Sequence, residues 1–129
     1  MLFRSLAITL ANAGRFSEAG VHFQEALRLH PDSPNIHNNL GVALSYQGRL
    51  EEATTHLREA VRLRPGFANA HFNLGRVLAQ RDRHGEAIAE FQASLQINPD
   101  DAEVRVALGQ SLEAHGRSEE RRVGKECRL

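Results

Sequence analysis

Residues 38–65 read NNLGVALSYQGRLEEATTHLREAVRLRP, and residues 72–99, thirty-four places further on, read FNLGRVLAQRDRHGEAIAEFQASLQINP. Laid over one another, the two stretches match in Leu40 and Leu74, Gly41 and Gly75, Ala53 and Ala87, and Pro65 and Pro99. The same interval extends outward to Leu6 and Leu108, to Ala19 and to Pro31, and it joins Phe23, Leu57 and Phe91 in one column. A shared period of this length marks a stacked repeat, each unit being one supersecondary element that cannot bury its apolar face alone. Beginning the unit at Pro34 divides the chain into repeats 1–33, 34–67 and 68–101 and a partial fourth, 102–116.

Each unit predicts two helices. Ile36, Leu40, Ala43 and Leu44 fall on one helical face, Gly48 interrupts, and Leu50, Ala53, Leu57, Ala60, Val61 and Leu63 resume the spacing until Pro65 stops it. Ser33 before Pro34 suits an N-cap followed by proline in the first turn, and Asp100 or Asp101 can cap the fourth unit. Ala7, Gly41, Gly75 and Gly109 are small where the first helices must approach the second closely, as are Ala19, Ala53 and Ala87 in return. Leu6, Leu40, Leu74, Phe23, Leu57 and Phe91 are expected to fill the space around those crossings.

These columns resemble tetratricopeptide repeats over residues 1–116. The resemblance implies an all-α fold, a right-handed α-solenoid of helix-turn-helix repeats, here three repeats plus the first helix of a fourth. It also implies a concave groove lined by the first helices, for protein or peptide ligands. Carried over residue by residue, the peptide-binding groove comprises Arg4, Asn38, Asn39, Tyr46, Asn69, Phe72, Asn73, Arg76, Gln80 and Gln110, with Ile8, Asn12, Val42 and Val106 between them. Asparagine amides both donate and accept, so a row of them can pair with the backbone of an extended peptide while reading little of its side chains. Tyr46 and Phe72 would serve as apolar anchors. In the blander alternative Asn39 and Asn73 satisfy groups between stacked helices and Phe72 packs into the next repeat. The usual aromatic near the start of each unit is Phe3, His37, His71 and Arg105, which predicts looser packing there.

Two subtypes of the family can be weighed. Members that clamp acidic chaperone tails would need basic side chains at Asn69 and Asn73 and an asparagine at Ile8, with only Arg4 and Asn39 agreeing, so that clamp is not expected. The asparagines resemble instead the groove of the O-linked N-acetylglucosamine transferase repeats, with Asn39 and Asn73 matching and Ser5 and Ala107 departing. The leading expectation is a non-enzymatic interaction scaffold. The alternatives are a substrate-presenting segment of a larger glycosyltransferase and a spacer that self-associates through exposed repeat ends.

Composition agrees with this restraint. Sixteen Lys and Arg balance sixteen Asp and Glu, which removes the basic footprint of a nucleic-acid or anionic-membrane binder. No apolar run is long enough to cross a bilayer. One Cys excludes a disulfide framework or a multi-cysteine zinc site. His37 and His71, like His22 and His56, share repeat columns roughly 10 Å apart or more and so cannot meet on one metal ion. Paired acids at Glu51–Glu52 and Asp100–Asp101 stand at helix starts, where the helix dipole favours them. Hence no catalytic residue, metal or cofactor is expected. Residues 6–13, LAITLANA, have the look of a short secretion signal behind Arg4, yet they keep register with the other first helices, and the cytoplasm is the default.

The C-terminus departs from the rest. Residues 1–116 contain no Lys, whereas the last thirteen residues hold the only Lys, Lys125, and the only Cys, Cys127. Residues 117–127, RSEERRVGKEC, resemble residue for residue an in-frame translation of a common sequencing adapter. Residues 117–129 are therefore expected to be a non-native tail, with no redox role for Cys127. Arg121 and Gly124 stand where a second helix would need a small and an inward side chain. The native chain is expected to continue past residue 116, and Met1 to begin inside a repeat.

Overall fold

The computed structural model describes residues 2–127, with side chains through Lys125, so Met1 and the Cys127 thiol lie outside the described part. Among the described residues there are seven helices and no strand: α1 (Leu2–Asn12), α2 (Phe16–Leu29), α3 (Pro34–Tyr46), α4 (Leu50–Leu63), α5 (Ala68–Gln80), α6 (His84–Ile97) and α7 (Ala102–Cys127). The first six form three antiparallel hairpins, α1–α2, α3–α4 and α5–α6, and α7 packs on α6 and α5 as the first helix of a fourth. Each helix packs on its neighbours in sequence; α1, α3, α5 and α7 also touch one another in succession, whereas α2, α4 and α6 do not. Helices that meet on one side and splay on the other bend the stack, so the odd-numbered helices form its concave face.

The turn within each hairpin is the same device. Arg15, Arg49 and Arg83 return N–H groups to the carbonyls of Leu10, Leu44 and Leu78 at 2.9, 3.0 and 2.8 Å, closing a Schellman-type end. The residue before each arginine must be left-handed: Gly14 at φ +78°, Gly48 at +77°, and Asp82 at +59°. The turns between hairpins carry the expected caps. Ser33 Oγ accepts from Ile36 N–H at 3.3 Å, and Asp101, the nearer of the two acids to α7, accepts from Glu103 N–H at 3.1 Å.

Ala7, Ala19, Leu40, Ala53, Leu57 and Ala87 are fully buried, and Phe23, Leu74 and Phe91 almost so. Gly41 and Gly75 lie directly against Leu57 and Phe91, as their size requires. Two expectations fail at the ends of the stack. Leu6 is 41% exposed, because its column packs back on the preceding outer helix, as Leu40 does beside Gly20, and no described helix lies there for α1. Gly109 is exposed and faces open space, because α7 has no second helix to cross.

The predicted looseness at His37, His71 and Arg105 is replaced by a repeated tie. His37 Nε2 and His71 Nε2 each donate to the carbonyl of the proline six residues earlier, Pro31 and Pro65, at 2.8 Å, and the Arg105 guanidinium donates to Pro99 O at 2.5 Å. Each tie fixes a first helix to the turn that precedes it. From Gly116 onward α7 continues without a break, every described side chain through Lys125 exposed, on sequence rich in good helix formers.

Candidate functional site: the concave face

The hollow of the concave face grows from the ends of α1 and α3. Tyr46, in the last turn of α3, is 56% exposed yet stacks on Phe16 at the start of α2, ring centroids 4.4 Å apart and planes 13° from parallel. Gln47 holds that corner, its amide donating to Phe16 O at 3.3 Å and Ala43 O at 3.1 Å. In the same lining Asn73 of α5 donates from Nδ2 to Asn38 Oδ1 of α3 at 3.0 Å, and Asn38 is otherwise enclosed. Ile8, Ala11, Val42 and Asn39 complete a cavity of about 380 Å³. Among the described residues no hydrogen bond engages the Asn39 amide, so its donors and acceptor face the cavity unspent.

A second hollow of about 370 Å³ lies further along, lined by Phe72, Arg76, Glu103, Val106, Ala107 and Gln110. Phe72 leans on buried Phe91 with centroids 5.9 Å apart, and the Arg76 guanidinium lies 5.6 Å over its outer face, within cation–π reach. Arg76, Gln80 and Gln110 also border a pocket of about 220 Å³ beside His84 and Ser111. A narrow crease lined by Val42, Asn73, Arg76 and Gln80 separates the two larger hollows. Asn73 thus borders the first hollow and the crease, and Arg76 the crease and the second, so the concave face is one track.

Eight of the ten expected residues, Asn38, Asn39, Tyr46, Phe72, Asn73, Arg76, Gln80 and Gln110, line this track. Arg4 instead lines a separate cavity of about 500 Å³ with Leu29, His30, Pro31 and Asp32, because the start of α1 faces the turn between α2 and α3. Asn69 is exposed in the first turn of α5 and borders none of these hollows. Phe16 was missed. It belongs to a second helix, and only its aromatic character where the other units have Leu50 and His84 set it apart in the sequence.

Two tetratricopeptide repeat models match, one over residues 1–65 and one over residues 42–102. The chain belongs to the tetratricopeptide repeat family. Among solved structures, this tetratricopeptide repeat protein is similar to the first such domain of Spaghetti (RPAP3) bound to the HSP90 peptide SRMEEVD: TM-score 0.87, 17% identity, covering 89% of this chain and 91% of that one. The Sgt2 domain of Aspergillus fumigatus gives 0.87 at 17% identity over 92% and 80%. MamA gives 0.85 at 23% over 88% and 67%. These likenesses establish the right-handed α-solenoid. No curated protein matches the chain in sequence.

The tetratricopeptide array holds no group of three or more His, Cys, Asp or Glu arranged around a metal ion, and no helix long and apolar enough to cross a membrane, among the described residues. Its histidines nevertheless pair across each hairpin. Phe3 stacks on His22 at 6.2 Å, His37 and His56 meet edge to edge with their Nδ1 atoms 3.1 Å apart, and His71 Nδ1 lies 2.7 Å from Glu90 Oε2. Burial, and then the neighbouring His37, hold the His56 imidazole below the usual histidine range, against the opposing pull of Glu52 and Glu59.

Proposed function

We propose that this protein is an interaction scaffold that holds an extended peptide along the concave track. The observation that carries the reading is the first hollow, where a stacked Phe16–Tyr46 pair shares a lining of about 380 Å³ with the unengaged Asn39 amide two turns back along α3. An aromatic wall takes an apolar side chain, while the amide takes one backbone N–H and one C=O of the same peptide. The volume falls within the range of pockets that take small ligands, roughly 300–1,000 Å³. The crease past Asn73 leads the chain on toward Phe72 and Arg76, where a second side chain can rest.

The related domain with an HSP90 peptide suggests an acidic tail as a competing ligand, but Arg4 stands off the track and Asn69 and Asn73 bring no charge to it. The favoured peptide is therefore neutral, with an apolar residue at its centre. Binding of an unbiased library of short peptides to the wild type, with an acidic C-terminal peptide as a separate arm, tests this against Asn39→Ala and Tyr46→Ala. Neither side chain closes the core, so both variants should keep their helicity and lose at least tenfold in affinity for selected peptides. Unchanged affinity in both would remove the first hollow from the binding site, and preference for the acidic peptide would favour the clamp.

A further inference from the structure

A hollow of about 500 Å³, larger than either hollow of the concave track, lies toward the opposite end of α1. It stands where the first hairpin meets the second. Phe3 and Arg4 come from the start of α1, Leu29 and His30 from the end of α2, and Ser33 and Ile36 from the entry to α3.

The repeat supplies its own comparison. One interval further on, where the second hairpin meets the third, Phe67 stands in the column of Ser33 and Arg64 in that of His30. Ser33 and Phe67 each precede a helix on nearly the same backbone, φ −86° and ψ 110° against φ −86° and ψ 88°, so their side chains set off in the same direction. Phe67 is half-buried, with Arg64 Cζ 4.8 Å from the centre of its ring, and Nη1 of that guanidinium donates to Asn35 Oδ1 of α3 at 3.4 Å. The second junction therefore carries an aromatic ring under an arginine that spans from α4 to α3. The first junction has a serine hydroxyl in place of the ring, and the space beside it stays open. We propose that this hollow is a binding site for an aromatic side chain, Tyr or Phe, of a partner peptide, which occupies there the place that Phe67 takes in the next repeat.

The walls suit a ring. Phe3, Leu29 and Ile36 offer apolar surface, and the volume falls within the roughly 300–1,000 Å³ of pockets that take small ligands, enough for the ring and the backbone that bears it. Arg4 is half-buried, and among the described residues no hydrogen bond or ion pair engages its guanidinium. It is thus available to lie over a ring face as Arg64 lies over Phe67. Asp32 borders the same hollow. One carboxylate beside one guanidinium leaves the site without net charge, so an anion gains little there, whereas a neutral ring still gains from the cation. An aliphatic side chain would fill the volume and draw nothing from Arg4, having no negative face to present. Arg4 and Ser33 border neither large hollow of the concave track, so this site stands apart from the peptide proposed there.

NMR titration of the full chain with N-acetyl-tyrosinamide and N-acetyl-phenylalaninamide tests the site, with N-acetyl-leucinamide as the aliphatic arm and acetate as the anionic one. The aromatic amides are expected to bind with millimolar dissociation constants, to shift Ser33 and Ile36 first, and to bind at least fivefold tighter than the leucine amide or acetate. Ser33→Phe restores the ring that the next repeat carries, and α5 forms behind Phe67 without a side-chain cap, so this variant should keep its helicity and lose the binding. Arg4→Ala should weaken the aromatic amides at least threefold and leave the leucine amide unchanged, which reads the cation independently of Ser33. Equal binding of leucine and aromatic amides, stronger binding of acetate, aromatic binding undiminished in folded Ser33→Phe or in Arg4→Ala, or first shifts confined to the concave track would overturn the proposal.

Discussion

Gly41, Gly75 and Gly109 occupy one repeat column, and a methyl group added to each meets different surroundings. An ideal Cβ at Gly75 would lie 2.5 Å from Phe91 Cε1, 2.7 Å from Cδ1 and 3.0 Å from Cζ. At Gly41 it would lie 2.6 Å from Leu57 Cγ and 3.2 Å from the backbone oxygen of Ala53, and at Gly109 nothing stands within 4 Å. Replacing a helical glycine by alanine gains about 1 kcal/mol from backbone propensity wherever it is made, so that gain cancels between sites and their difference isolates the crowding. Phe91 is 1% exposed and cannot swing away; forcing it costs about 1–3 kcal/mol. Gly109→Ala should therefore stabilise the protein, and Gly75→Ala should fall below it by about 1–3 kcal/mol, or roughly 3–15 °C in Tm for a chain of this size. Gly41→Ala should behave like Gly75→Ala, since neither the branch point of Leu57 nor a backbone carbonyl can give way. Thermal and urea unfolding followed by circular dichroism measures all three, and Phe91→Leu in the Gly75→Ala background should restore part of the loss. Equal Tm values for Gly75→Ala and Gly109→Ala would refute the crossing of α5 and α6 at this column.

Three further outcomes follow from the turns, the amide bridge and the tail. Asp82 holds a left-handed φ that costs a non-glycine residue up to about 1–2 kcal/mol, so Asp82→Gly should raise the urea midpoint slightly, whereas Gly48→Ala should lower it. Asn38→Ala leaves Asn73 without its partner, and a double-mutant cycle with Asn73→Ala should give a coupling of about 0.5–1.5 kcal/mol in denaturant titrations; additive losses would mean the amides do not bond. Deleting residues 118–129 removes helix whose described side chains, through Lys125, are all exposed, so stability by calorimetry should stay within about 0.5 kcal/mol, and a larger loss would mean that the segment packs on the array.

The fold was legible because the residues that set it are local and periodic. Leu40, Leu57, Leu74 and Phe91 recur at one interval, and every unit needs the same contacts, so one reading of residues 38–65 serves for all three hairpins. Where the interval stops being shared, reading along the column misleads. Leu6 and Gly109 have the right identity and lack the neighbouring helix that would bury them. The helical course of residues 117–127 was hidden for a related reason: their charged, helix-favouring side chains carry no apolar stripe, and periodicity is silent about a helix that packs on nothing.

The concave track was legible to the extent that it depends on which side of a first helix faces inward. The family resemblance says which side of a first helix faces inward, and helical register carries that side through Asn38, Asn39, Tyr46, Asn73 and Arg76. Arg4 and Asn69 fall outside because they sit in first turns, where the chain has just left a loop and a few ångströms of approach decide what a side chain borders. Phe16, and the meeting of His37 with His56, belong to a third kind of information: contacts between a first helix and a second helix of unlike repeat position. A comparison of equivalent places can never find these, since it asks how like residues stack along the solenoid and ignores how unlike ones close each hairpin. Chemistry in a solenoid is accordingly to be sought across the hairpin, where two different columns face each other at contact distance, and recognition along the groove, where one column repeats at the spacing of packed helices. The proposed peptide site of this protein follows that rule, since an extended peptide needs contacts spread over successive first helices, as Asn39, Asn73 and Gln110 are.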